Sequence, residues 1–340
     1  MIPAHALLLL VLFPASIAAV LANPPAVASV QAGTADRARP TAPATAGAVR
    51  DVAYGPHPRQ RFDVYLPAAA VKAPVIVLVH GGGWAFGDKA SRAFVEAKVA
   101  YWTARGYALV STNYPLVPEA TPLEQARHVA RALARAQELA PLWGADRTRF
   151  LLMGHSAGAH LVALLGASPG LLDAAGASRP LGVVALDTAA LDVVSVMQAP
   201  RLPRLYVDAF GSDPVQWAAA SPHHLLAADS LPMLLVCSSV RPQPCPTARA
   251  FAVKAKAVGV PMQVLPQDLS HMEINRELGR LPAYTAAVDA YIRALEADHP
   301  GAGFGDVRQA LCSAARYSAP CISIRREAAR SKAPPRRVPV

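Results

Sequence analysis

The chain has 340 residues, of which 53% are hydrophobic and only 16% charged, and that balance excludes a mostly disordered protein. The 33 Lys and Arg against 23 Asp and Glu give a net charge of +10, which by itself would suggest a nucleic-acid or anionic-membrane partner. Most of that excess lies in residues 1–50 and 299–340, so the stretch between them is close to neutral and no nucleic-acid partner is expected.

Residues Ala6 to Ala22 form a 17-residue apolar stretch broken by Pro14, short of the ~20 residues that a spanning helix needs. Followed by Asn23-Pro24-Pro25 and ending in small residues, it reads as a cleaved secretory signal over 1–22. A secreted or periplasmic location with no stable membrane span is therefore expected. Residues 23–48, rich in Ala, Pro and Thr without apolar periodicity, read as a disordered linker.

The core is expected over 49–298. Arg61 to Pro67 alternates like a half-exposed strand closed by proline. Pro74 to Val79 is a continuous apolar run, the pattern of a strand buried on both faces. A helix is expected from Ser91 to Arg105, a strand over Tyr107 to Ser111, and a long helix from Pro122 to Ala140 with proline in its first turn. Then come a strand (Arg149 to Met153), a helix (Ala157 to Gly166) and a strand (Leu181 to Leu186). Two more strands, Met233 to Cys237 and Met262 to Leu265, flank a helix over Thr247 to Val258, and a last helix runs from about Pro282 to Ala297. This alternation predicts an α/β domain with a mostly parallel sheet covered by helices on both faces. Residues 191–230 fit less cleanly and suggest an insertion over the carboxyl edge of the sheet. Residues 299–340 carry eight Arg and Lys against two acids and read as a basic, solvated tail. Four cysteines permit two local bridges, Cys237–Cys245 and Cys312–Cys321. No CxxC pair with metal spacing and no HExxH occurs, so no metal or other cofactor is expected.

Two motifs carry chemistry. Gly154-His155-Ser156-Ala157-Gly158 lies between a buried strand and a helix, where a strained turn can expose the serine hydroxyl above the sheet. His80-Gly81-Gly82-Gly83-Trp84 directly follows the most hydrophobic strand, and its glycines let backbone N–H groups approach a ligand oxygen. No GxxxxGK[ST] pattern follows, so a phosphate cradle is a poor reading. Together the two motifs point to a serine hydrolase.

With Asp63-Val64-Tyr65-Leu66-Pro67, Asn113-Tyr114-Pro115-Leu116 and His271, these motifs resemble the α/β-hydrolase esterases of the hormone-sensitive-lipase and feruloyl-esterase-like branches, with arylformamidases as close relatives. The resemblance spans about residues 50–297. It implies Ser156 as the nucleophile and the N–H groups of Gly82, Gly83 and Ala157 as the oxyanion hole, with His80 bracing the glycine loop. Hydrolases of this fold order their triad Ser, acid, His, so the base is sought late in the chain. His271 follows the last strand and fits.

The acid departs from the pattern. Most relatives would place it just past Met233–Cys237, where this chain reads Ser238 to Cys245 without a carboxylate. Asp187, at the end of Leu181–Leu186, is the first candidate, with Asp268, Asp192 or no acid as alternatives. Trp84, with Phe86 and Tyr114, is a candidate to line an acyl or aryl pocket, core packing being the equal alternative. The expected function is cleavage of small short-chain or aryl carboxylic esters. An arylformamidase-like amide hydrolase and a catalytically weak binding protein on the same scaffold are the alternatives.

Overall fold

The computed structural model describes residues 47–299. The expected signal segment, the Cys312–Cys321 bridge and nearly all of the linker and basic tail lie outside them.

Eight strands form one sheet in the order β1-β2-β4-β3-β5-β6-β7-β8. They are β1 (Gly47–Ala53), β2 (Arg61–Leu66), β3 (Ala73–Val79), β4 (Ala108–Thr112), β5 (Ala145–His155), β6 (Val183–Leu186), β7 (Met233–Ser238) and β8 (Met262–Gln267). The β1–β2 and β2–β4 pairs are antiparallel and all the others parallel. The carboxyl end of the linker reading needs moving: Gly47 and Ala48 already pair with Leu66 and Tyr65.

The long helices are α1 (Arg92–Thr103), α2 (Pro122–Leu139), α3 (Ala157–Ala167), α9 (Pro244–Ala257) and α11 (Pro282–Ala297). Short ones are α4 (Gly170–Asp173), α5 (Val193–Met197), α6 (Arg204–Phe210), α7 (Pro214–Ala219), α8 (Pro222–Leu225) and α10 (His271–Arg276). Helix α2 starts where Thr121 and Glu124 form a reciprocal capping box on either side of Pro122. Residues 191–230 become α5 to α8, with Tyr206 and Phe210 of α6 packed on Trp84 in the loop after β3.

The central strands are apolar throughout because the sheet buries both faces. Val75, Val77, Leu152, Val183 and Leu235 share one cluster with α2, α3 and α9. Their neighbours Ile76, Leu78, Leu151, Val184 and Leu234 share the other with α1 and α11. Successive strand residues point to opposite faces, so one unbroken apolar run serves two cores. A polar exception sits beside the antiparallel edge. Asp63, 1% exposed, takes Lys89 Nζ at 2.6 Å, Arg50 at 2.8 Å and the Asp51 N–H at 2.9 Å.

The parallel register sets up the site. His155 lies opposite Leu186, Leu186 opposite Val236, and Val236 opposite Leu265. Residues that leave β5, β6, β7 and β8 therefore emerge side by side at one edge, where loops of open sheets gather ligands.

Candidate active site

Ser156 occupies the turn between β5 and α3 with φ 57° and ψ −117°, the left-handed side of the map that side chains avoid. The turn is enforced by close packing: a Cβ on Gly158 would lie 2.1 Å from the Val79 carbonyl oxygen, so only glycine lets α3 sit so near β3. Asp187, the residue after β6, also has positive φ (54°), as does Trp84 (62°). Asp51 and Lys72 carry the same sign of φ away from this edge, but Ser156 and Asp187 bring it together at one place, as strain at functional sites does.

His271 starts α10, where Ser270 and Glu273 make a second capping box. Its Nε2 lies 2.9 Å from Ser156 Oγ and its Nδ1 2.6 Å from Asp187 Oδ2. The serine, the late histidine and the first-choice acid thus meet in one relay. The alternatives do not reach it. Asp268 is exposed, and Asp192 caps α5 by accepting the Ser195 N–H.

Asp187 is fully buried, and its other oxygen accepts the Ser238 N–H at 2.8 Å. Burial alone pushes its carboxyl up. The His271 hydrogen bond, the Ser238 N–H and the charge of Arg241 outweigh that and hold it below the usual carboxylate value. Arg241 is the component that the sequence reading missed. From the loop after β7, where relatives were expected to carry an acid, it donates to Asp187 Oδ2 at 2.6 Å and stands 3.0 Å from His271 Nδ1. The Cys237–Cys245 disulfide closes that loop, fixing both Ser238 and Arg241 against Asp187. A cation replaces the expected carboxylate there, and the carboxylate comes from one strand earlier.

His155 was also missed, although it stands within the serine motif. Its ring lies 4.6 Å from that of His271, and its Nε2–H donates to the His271 carbonyl at 2.9 Å. Burial first, then the neighbouring His271, pushes its pKa down to about 3, so it stays neutral and acts as a fixed donor. It braces His271 from behind.

A cavity of about 430 Å³ opens in front of Ser156 and His271 and is walled by Gly82 and Gly83. Gly82 has φ 120°, and a Cβ there would lie 2.3 Å from the Phe86 carbonyl. Among the described residues no acceptor takes up the N–H of Gly82, Gly83 or Ala157. Ala157 opens the 11-residue α3 directly behind the serine, so its N–H belongs to the free donors of a helix start. His80 braces the loop as the resemblance implied. Its ring stacks 4.5 Å from Tyr114, whose hydroxyl donates to the His80 carbonyl at 2.7 Å. Burial pushes the His80 ring down to about 4.

Trp84 requires a correction. It is 3% exposed and does not line the cavity. Its indole N–H donates to His160 Nδ1 at 3.2 Å, and it packs on Phe210 at 4.8 Å. Positive φ turns the side chain inward from the glycine loop, which makes it the anchor of α6. Tyr114 is likewise buried, whereas Phe86, 74% exposed, stands at the cavity wall with Phe94 and Met272.

Comparison with known proteins bears on the fold. Residues 62–180 match the BD-FAE family model. A probable isoprenylcysteine alpha-carbonyl methylesterase of Oryza sativa subsp. japonica is 34% identical over 116 residues, covering 34% of this chain and 27% of that protein. Esterase LipC of Mycobacterium tuberculosis is 33% identical over 121 residues, 34% of this chain and 29% of that one. Kynurenine formamidase of Danio rerio is 29% identical over 141 residues, 41% and 44% respectively. The matched stretch thus spans about a quarter of the plant and mycobacterial relatives and less than half of the fish enzyme. Among solved structures, apo Thermogutta terrifontis esterase 2 superposes with a TM-score of 0.60 at 22% identity, covering 74% of this chain and 96% of that chain. The chain has the α/β-hydrolase fold. A truncated carbohydrate esterase from gut microbiota gives a TM-score of 0.63 at 17% identity, covering 73% and 96%. The resemblance to α/β-hydrolase esterases drawn from the sequence is upheld by these matches. Among the described residues no helix is long and apolar enough to cross a membrane.

Proposed function

We propose that this α/β-hydrolase is a serine esterase that cleaves short-chain or aryl carboxylic esters through an acyl-enzyme. The observation that carries the reading is the relay from Ser156 Oγ through His271 to buried Asp187, at 2.9 and 2.6 Å. With its Nδ1–H given to Asp187, the imidazole presents a bare Nε2 to the serine hydroxyl. Ser156 Oγ attacks the ester carbonyl carbon while its proton passes to Nε2. The carbonyl oxygen gains negative charge and accepts from the unclaimed N–H groups of Gly82, Gly83 and Ala157. One such donor is typically worth ~10²–10³ in kcat. When the tetrahedral species collapses, His271 returns the proton to the leaving alkoxide and the acyl group stays on Ser156. Water then attacks with His271 as base, which releases the acid and restores the hydroxyl.

The cavity volume of about 430 Å³ and the apolar wall of Phe86, Phe94 and Met272 favour a small acyl or aryl group. A formamide is the second reading, favoured by the kynurenine formamidase match. Asp187 provides the carboxylate whose absence from the β7 loop was the ground for a catalytically weak binding protein. A secreted or periplasmic location is proposed with the activity, supported by the Cys237–Cys245 bridge and the apolar stretch at 6–22.

Turnover of p-nitrophenyl acetate and labelling by a fluorophosphonate test the mechanism. Both should vanish in Ser156→Ala while the folded state persists, and unchanged turnover in that variant would overturn it. N-formylkynurenine assayed beside an ester chain-length series separates the ester from the formamide reading. Recovery from the periplasm or medium of a chain that begins at Asn23 tests the location. A product that keeps Met1 and stays in the cytoplasm would refute it.

A further inference from the structure

Away from the relay, Asp192 meets His223 and His224, with one ligand atom from each lying within 4.8 Å of the others. The cluster joins two segments of the insertion: Asp192 ends the loop that begins at Asp187, and the histidines belong to α8. The segments are already knit by the His223 N–H donating to the Leu191 carbonyl at 2.7 Å and the Val193 N–H donating to Ser221 Oγ at 3.1 Å. The three side chains are nonetheless not hydrogen-bonded to one another. His223 Nδ1 is 3.7 Å from Asp192 Oδ2, and His224 Nδ1 is 3.6 Å from Asp192 Oδ1. These gaps are too wide for a hydrogen bond. Each runs to a different oxygen of the carboxylate and is close to the roughly 3.3–3.6 Å edge of a tetrahedron whose ligands sit about 2.0–2.2 Å from a zinc ion, and one ligand atom from each residue lies within 4.8 Å of the others.

A second, independent observation concerns His223 Nδ1, which is shut off from solvent and has no hydrogen-bond partner among the described residues. A buried ring nitrogen left without a partner loses its hydration for nothing in return, unless something absent from the protein atoms takes its lone pair. The carboxylate is pre-oriented because Oδ1 accepts the Ser195 N–H at 3.1 Å. Lys254, the nearby cation, is occupied in donating to the His223 carbonyl. The existing contact that competes at a histidine is the 3.0 Å hydrogen bond between Ser221 Oγ and His224 Nδ1.

We propose that Asp192, His223 and His224 bind one divalent transition-metal ion of the zinc class, with solvent completing its shell. Two imidazoles and a carboxylate suit Zn²⁺, Co²⁺ or Ni²⁺ better than Ca²⁺ or Mg²⁺, which prefer all-oxygen shells. The ion staples α8 to the loop after β6. That loop starts at Asp187, so the staple steadies the insertion over the catalytic edge without touching the reacting atoms.

The test uses the full chain, stripped with a chelator, and titrated with ZnCl2 by calorimetry and with CoCl2 by visible absorption. One ion per chain is expected, together with a Zn²⁺-dependent rise in the thermal midpoint. Asp192→Asn keeps a capping oxygen for α5, and His224→Ala changes an exposed side chain, so both variants should fold. Each should weaken binding by about 10-fold or more and abolish the Zn²⁺-dependent rise. Equal binding in wild type and both variants would assign the ion to other residues and overturn the proposal, as would the absence of any binding to the wild type. Neither readout depends on esterase turnover, so failure here leaves the proposed activity standing.

Discussion

Replacing Asp187 by Asn tests the relay more sharply than removing the serine, because the change is isosteric and its consequence follows from three neighbours. The Ser238 N–H would still meet Oδ1 at 2.8 Å. The amide nitrogen would then face His271 Nδ1 at 2.6 Å and Arg241 Nη1 at 2.6 Å, so donors would confront donors. The imidazole relieves the conflict by moving its proton to Nε2, where it faces Ser156 and can no longer accept. A tautomer error of this kind costs ~10⁴ in kcat. In this protein a second penalty is expected, since Arg241 lies 3.0 Å from His271 Nδ1 and loses its carboxylate. Two unit charges ~4 Å apart at an effective dielectric near 20 repel by about 4 kcal/mol. Arg241 is 35% exposed, so solvent screening leaves only part of that, of order 1.4 kcal/mol or about tenfold in rate. The double variant Asp187→Asn, Arg241→Gln should therefore be about tenfold faster than Asp187→Asn alone. Steady-state p-nitrophenyl acetate hydrolysis measures both, with fluorescence confirming the fold. The reasoning fails if Asp187→Asn keeps kcat within tenfold of wild type, or if Asp268→Asn is the more damaging change.

Other expectations follow from the same geometry. Gly82→Ala puts a Cβ 2.3 Å from the Phe86 carbonyl and should lower kcat by ~10²–10³ by displacing an oxyanion donor; an unaltered kcat would remove Gly82 from that role. Phe86→Ala, at a 74% exposed position, should raise KM for aryl esters with no change in the urea midpoint. Trp84→Ala should instead destabilise the fold by about 3–5 kcal/mol, since the side chain is buried; the reverse pattern would return Trp84 to the substrate wall. Asp63→Ala should cost about 3–5 kcal/mol in urea unfolding, because it strips the buried Lys89 of its inner partner. Burial raises the Asp63 carboxyl, but Lys89, the Asp51 N–H and Arg50 outweigh it and hold the value below normal. Its contribution is thus complete above the ordinary carboxylate pKa of ~3.9 and lost as pH falls through the lowered folded value. The gap between wild type and variant should close in that acid window, and a gap that widened there would refute the assignment.

Where the sequence was legible, local rules were enough. Buried parallel strands announce themselves as apolar runs, as at Val75 to Val79, because both faces need the same chemistry. Long helices carry caps and period, as α2 does with Thr121, Pro122 and Glu124. The short helices α5 to α8 span four to seven residues, too few for a 3.6-residue period to register. Strand β1 is mostly exposed at the sheet edge, so no apolar alternation marks it. The cavity wall was half legible: aromatic residues flanked the glycine loop, but only the backbone turn at Trp84 decides that it points inward while Phe86 points out.

The near-neutral core and its basic ends, the buried strands and long helices, and the serine turn followed from composition, pattern and motif, since each depends on neighbours close in the chain. The late histidine came from the Ser, acid, His order of the family it resembles. The identity of the acid followed from neither. Asp187, Asp192 and Asp268 are equivalent as letters, and their roles separate only when strand register sets the end of β6 beside the end of β5. Arg241 is the extreme case, a long side chain that reaches from one loop to the residue after another strand. Contacts of that kind are made by chain segments distant in sequence, and tertiary packing alone brings them within 3 Å.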